Sequence, residues 1–214
     1  MHRVRLSRLL LVGLLMIGGC AEPDSAGEAE AAGRVGGWRT AGCEFSRAPE
    51  HTEVGGVRMP VTPAPLRAAM EQIEQAGRTR FAASFAGLEV DQLRVRAIVY
   101  RVPSAAAGFD DFLRQTAGNN CIVVRDAAHA VTDLGEWHDR VVADLAYWSA
   151  RGVRIVTVGS RHDGAGVEIG TRDVDLARVA LPAHYGDEAP LVFVEEGPVT
   201  PLTSTRINSP EPGR

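Results

Sequence analysis

Between Leu66 and Glu196 the apolar residues change period in one fixed order and then repeat that order, and this doubled pattern constrains the fold more than any other feature. In the first pass Leu66, Met70 and Ile73 recur at helical spacing, with Gly77 as the stop. Phe81–Leu88 and Leu93–Val102 then read as two strands, the second alternating clearly in RVRAIVYRV. A helix beginning at Pro103 and Ser104 carries Phe109, Phe112 and Leu113 and ends near Gly118; Cys121–Val124 follows as a short strand. In the second pass Leu134, Trp137, Val141, Leu145 and Trp148 form one helical stripe that Gly152 closes. Val153–Gly159 and Gly166–Thr171 read as a hairpin around Asp163 and Gly164. A helix over Val174–Tyr185 stops at Gly186, with Pro182 expected to shorten or bend it, and Leu191–Val194 is the last strand.

Both passes read helix, strand, strand, helix, strand. Helices on one face of each hairpin and a right-handed strand–helix–strand crossover predict an α+β fold of two αββαβ, split βαβ-like units. Their antiparallel sheets are expected to be covered by helices and to share one core. The folded part is 66–196, with repeats at about 66–126 and 133–196, a size that suits one domain.

The flanks lack such periodicity. Ala21–Gly37 is rich in Ala, Gly and Glu and reads as a flexible spacer, so residues 20–37 form a linker. Residues 38–65 mix Cys43, Phe45, Val57 and Met59 with prolines and glycines, and are expected to be irregular chain with at most one short strand, pinned through Cys43. Residues 197–214 hold four prolines and read as a tail.

Residues 1–19 have the layout of a secretory signal: Arg3, Arg5 and Arg8, then an apolar run from Leu9 to Ile17, then Gly18 and Gly19. The run is too short to span a bilayer, which needs about 20 helical residues. The segment Ile17-Gly18-Gly19-Cys20 resembles the lipobox of bacterial lipoproteins. That resemblance implies cleavage before Cys20, a diacylglyceryl thioether on Cys20, and a protein held at the extracytoplasmic face of a cell membrane. Two acyl chains anchor far more firmly than one.

All 23 positive residues are arginine. A chain without lysine has no Schiff base, no Walker-type phosphate loop and no lysine general base. Loss of residues 1–19 takes three arginines and none of the 27 acids, leaving a formal charge of −7, which argues against nucleic acid as a partner. With Cys20 lipidated, Cys43 and Cys121 remain, and two cysteines in an oxidising compartment usually pair. The bridge would close a loop of nearly 80 residues and contribute about 4–5 kcal/mol in the chain-entropy model. Two buried thiols, or one reactive cysteine, are the alternatives.

Catalytic kits are missing. No GxSxG exists; GSRHD, Gly159–Asp163, puts Ser160, His162 and Asp163 side by side in a turn, where a base cannot face both its neighbours. No HExxH or CxxC occurs, and His138 and Asp139, near His129 and Glu136, point about 100° apart on a helix. His184 reads as a helix-end packing or capping residue. GAGVEIG, Gly164–Gly170, sits in a hairpin and does not open a helix, so it cannot cradle phosphate. Glu195 and Glu196 point to opposite faces of a strand, and Trp137, Tyr147 and Trp148 read as core. We therefore expect no catalytic residues, no metal and no cofactor.

From Asp133 to Pro201 the chain resembles a region that precedes the catalytic domain in some actinobacterial secreted trypsin-like proteases. The pieces that carry this are DLGEWHDRVVADLAYWSARGVRI, GVEIG, LPAHYGDEAPLVFVEE and TSTRINSP. The resemblance implies a pro-region-like, protease-binding module acting by strand addition, with Leu191, Val192, Phe193, Val194 and Thr203 as candidate partner-binding residues. The alternatives are a small-ligand-binding or sensory envelope lipoprotein and, behind it, a hydrolase using Ser160, His162 and Asp163.

Overall fold

A computed structural model of the protein describes residues 36–197. In it β1 (Gly37–Arg39) leads through a 3-10 turn (Ala41–Glu44) to a hairpin, β2 (Glu50–Val54) and β3 (Val57–Val61). The first repeat then runs α1 (Ala64–Thr79), β4 (Phe85–Asp91), β5 (Arg96–Arg101), α2 (Ala107–Ala117) and β6 (Cys121–Asp126). The second runs α3 (Val131–Ala143), α4 (Leu145–Ala150), β7 (Ile155–Ser160), β8 (Val167–Thr171), α5 (Val174–Tyr185) and β9 (Leu191–Glu195). The αββαβ order thus occurs twice, in an α+β fold.

Each repeat builds a mixed sheet. β4 and β5 pair antiparallel and β5 and β6 parallel; β7 and β8 pair antiparallel and β8 and β9 parallel. The parallel partners are direct neighbours, so each crossover helix returns the chain to the next position in the sheet. Side-chain alternation gives each sheet one face for its helices. Ala97, Val99, Ile122 and Val124 meet Leu66 and Ile73 of α1 and Phe109 and Leu113 of α2. Val167, Ile169, Leu191 and Phe193 meet Leu134 and Val141 of α3, Trp148 of α4 and Ala177 and Leu181 of α5. These are two separate cores, where one shared core was expected. The two inward faces belong to different sheets and no strand passes between them.

At the end of the second hairpin strand each unit buries a polar residue. Arg101 donates to Asp110 at 2.9 Å and to Asp126 at 2.6 Å, tying β5 to α2 and β6. In the corresponding place Thr171 Oγ1 donates to the Arg154 carbonyl and accepts from the Asp173 N–H.

Several boundaries differ from expectation for identifiable reasons. Gly77 does not stop α1, which continues to Thr79; a Cβ there would lie 2.5 Å from the Phe85 ring, so the glycine serves packing. The stripe from Leu134 to Trp148 breaks at Asp144, where the backbone leaves helical geometry, and Leu145 becomes exposed. α5 runs past Pro182 to Tyr185. Proline forfeits only a bond to the previous turn, and Leu181 and Tyr185 are buried on either side of it. Residues 50–61, expected to be irregular, form a hairpin whose turn, Gly55-Gly56, has both φ angles positive (59° and 79°), as a tight two-residue turn requires.

No helix among the described residues is long and apolar enough to cross a membrane. The expectations for residues 1–19, for Cys20 and the spacer up to residue 35, and for the tail with Thr203 lie outside the described residues.

Candidate functional site

β9 lies at the end of its sheet, which has the order β7-β8-β9. Val167 donates to the Pro190 carbonyl and Glu196 to the Thr171 carbonyl, so the even-numbered residues of β9 turn their main-chain groups toward β8. Phe193 and Glu195 consequently turn theirs to the other side, where no strand lies among the described residues. Leu191 and Phe193 send their side chains into the core, while Val192 and Val194 take the opposite face. Glu196 lies over that face and accepts from Thr157 Oγ1 at 2.8 Å. Gly170 leaves it room, since a Cβ at 170 would collide with the Glu196 carboxylate.

The first unit fills the corresponding edge. β6 is the counterpart of β9, and β1 pairs with it antiparallel, Trp38 opposite Val124 and Arg39 opposite Val123. Asp126 donates to the Gly36 carbonyl and Thr40 to the Ile122 carbonyl, so here too the residues whose side chains enter the core turn their main chain outward. Trp38 packs on the first core, with the Arg114 guanidinium 4.5 Å above its ring. The Cys43–Cys121 disulfide ties the segment after β1 to the start of β6, as the pairing of those two cysteines predicts. An added antiparallel strand is therefore how this fold closes such an edge, and the second repeat lacks one among the described residues.

Where the two units meet, the β7–β8 turn lies against the helix-free face of the first sheet. Gly87 sits so close to the His162 backbone that a Cβ would collide with the His162 carbonyl. His162 Nε2 is 3.1 Å from Glu89 Oε2, and Tyr100 donates to Glu89 Oε1 at 2.8 Å. Burial, and then the Glu89 carboxylate, push the Tyr100 hydroxyl above its ordinary pKa. Ser160 donates to the Leu134 carbonyl, and Asp163 is held by Arg161, whose hydrogen bonds keep its carboxyl below the usual range. Ser160, His162 and Asp163 thus face three different partners and form no nucleophile–base–orienter chain. Beside this seam a cleft of about 400 Å³ opens between α1 and β4 of one unit and α3 and β7 of the other.

The remaining sequence candidates are structural. His138 bonds its neighbour Asp139 at 2.9 Å, and the described residues contain no group of three or more His, Cys, Asp or Glu able to hold a metal. Trp148 is buried, with Trp137 and Tyr147 packed beside it, and His184 lies against the Tyr147 ring. In GAGVEIG, Gly164 has φ 70° and lets the turn approach Ala127 and Ala86 closely. Sequence reasoning missed the inter-unit cleft, because its lining comes from four elements far apart in the chain. It also missed β1, a strand of three residues too short to show alternation. Compared with protein-family models, curated proteins and solved structures, the chain matches none.

Proposed function

We propose that this protein is a non-enzymatic interaction module, lipid-anchored through Cys20 at the extracytoplasmic face of the membrane. Its open β9 edge receives an extended segment of a secreted partner. The observation that carries the reading is the inequality between the repeats: β6 bears an antiparallel strand at its outer edge and β9 bears none among the described residues. Main-chain hydrogen bonds to Phe193 and Glu195 would supply affinity, and an apolar side chain opposite Phe193, as Trp38 stands opposite Val124, would supply specificity. Export is supported by the lipobox-like Ile17–Cys20 and by the Cys43–Cys121 disulfide, a bond favoured outside the cytoplasm. The resemblance to pro-regions makes a trypsin-like protease the partner to test first.

The test is capture from an extracytoplasmic fraction, with three baits: the chain from Ala21 onward, which keeps β1 whole, the same chain lacking Gly197–Arg214, and the chain carrying Glu195→Pro. Proline at 195 removes an outward N–H and leaves the ladder to β8 intact. A trypsin-like protease captured by the intact bait and lost from both altered baits is the expected result. Equal capture by Glu195→Pro would rule out strand addition at β9.

A further inference from the structure

Gly135 stands inside α3, where glycine weakens a helix relative to alanine, in a chain that uses alanine freely. Nothing steric demands it: a Cβ built there meets no atom within 4 Å, and its φ is not in the left-handed region. Val131, Gly135 and His138 share one helical stripe, and all three line the cleft between the units. The missing side chain is space kept open in that cleft.

We infer that the cleft is a binding site for a small amphipathic molecule carrying one oxyanion, a carboxylate or sulfonate on an apolar body. This inference is independent of strand addition at β9. A volume of about 400 Å³ lies within the range of small-molecule sites. Leu88, Val131 and Ala86 offer an apolar wall. Arg78 lines the same space and bonds Glu74 through Nε alone, so its two terminal nitrogens have no partner among the described residues and form a planar fork suited to an oxyanion. His138 engages Asp139 through Nδ1, which leaves Nε2 as a second polar group. Glu74 is the one carboxylate in the lining and engages only the Nε of Arg78; Arg161, which also lines the cleft, is taken up by Asp163 and Glu168, so Arg78 is the cation offered to the oxyanion.

The experiment titrates the full chain with 8-anilinonaphthalene-1-sulfonate, followed by fluorescence, and with N-phenyl-1-naphthylamine, which has the same aromatic body and no charge. One saturable site is expected, at least tenfold tighter for the sulfonate than for the neutral dye. Gly135→Leu should weaken it at least tenfold while raising the melting temperature, because the helix gains a better former; loss of binding then cannot be misfolding. Arg78→Gln should weaken the sulfonate at least fivefold and leave the neutral dye unchanged. Sulfonate affinity unaltered in Gly135→Leu, or no saturable site in the native chain, overturns the inference. Equal affinity for both dyes overturns its oxyanion part.

Discussion

The buried indole of Trp148 donates to Tyr185 Oη at 2.9 Å, and that hydroxyl donates onward to Asp144 at 2.9 Å. The chain joins α4, the end of α5 and the break between α3 and α4. It accounts for the burial of two polar aromatic atoms in the second core, where each must find a partner. Tyr185→Phe removes the middle member and leaves the Trp148 N–H with no acceptor. We expect a loss of about 1–3 kcal/mol, seen as a melting temperature lower by about 3–8 °C. A change within 1 °C would mean that the indole finds another acceptor.

Arg101 plays the corresponding part in the first unit, with the difference that its partners are charged. Removing the guanidinium in Arg101→Ala leaves Asp110 and Asp126 facing each other across a nearly buried site. The expected cost is about 3 kcal/mol, the lower end for a broken buried pair because both carboxylates keep some contact with water. Arg101→Met with Asp110→Leu should recover part of it, since it removes the more buried of the two stranded carboxylates and leaves only Asp126, the more exposed one. Urea midpoints of the three proteins decide this.

The doubled αββαβ order was legible because it is written in period. RVRAIVYRV alternates, and Phe109, Phe112 and Leu113 recur as a helix face must. The hairpin at 50–61 was not, although Gly55-Gly56 between Val54 and Val57 is a turn signal. Its strands carry Glu50, His51, Glu53 and Arg58, and Val54, Val57 and Met59 are largely exposed, so no buried face imposes alternation. The site was legible only in part. Leu191–Val194 reads as a strand, whereas its lying at an open edge depends on pairings among distant residues. The separation of the two cores likewise depends on which strands share a sheet, which periodicity does not encode.

Reduction of Cys43–Cys121 should destabilise the first unit in particular. The cysteines are 78 residues apart, and the bridge holds the segment after β1 against β6. The chain-entropy model gives about 4–5 kcal/mol. We expect the reduced protein to melt well below the oxidised one and to lose amide protection first in β1. Uniform loss of protection across both units would instead indicate that the two cores unfold together.

The pH profile of stability should fall at both ends, and two residues at the ends of α5 contribute to it. The Arg154 guanidinium and its N–H hold Asp173 down at about 2, so that interaction is fully present above the ordinary carboxylate range and is lost as pH falls toward 2. Burial, with the Asp144 carboxylate adding to it, pushes Tyr185 up to about 12. A raised phenol favours the fold below pH 10 and loses that contribution as pH rises from 10 toward 12. Asp173→Asn should make the acid limb shallower and leave the alkaline limb unchanged, and Tyr185→Phe the reverse, in urea midpoints measured from pH 2 to 12; Asp163 and Tyr100 maintain the remaining slope of each limb.

Two helical glycines should respond to the same substitution with opposite signs. Propensity favours alanine at each by about 1 kcal/mol. At Gly135 nothing opposes it, and Gly135→Ala should raise the melting temperature by a few degrees. At Gly77 the new methyl would meet three carbons of the Phe85 ring at 2.5–2.8 Å. Phe85 is itself fully buried between α1 and Phe109 and cannot step aside. Overpacking of that kind costs about 1–3 kcal/mol, enough to cancel the helical gain and exceed it. Gly77→Ala should therefore lower the melting temperature, and Gly77→Ala with Phe85→Leu should restore part of the loss by giving the methyl room. If both single variants were stabilised, backbone propensity would outweigh packing in α1, and the close approach of that helix to β4 would not be what selects glycine there.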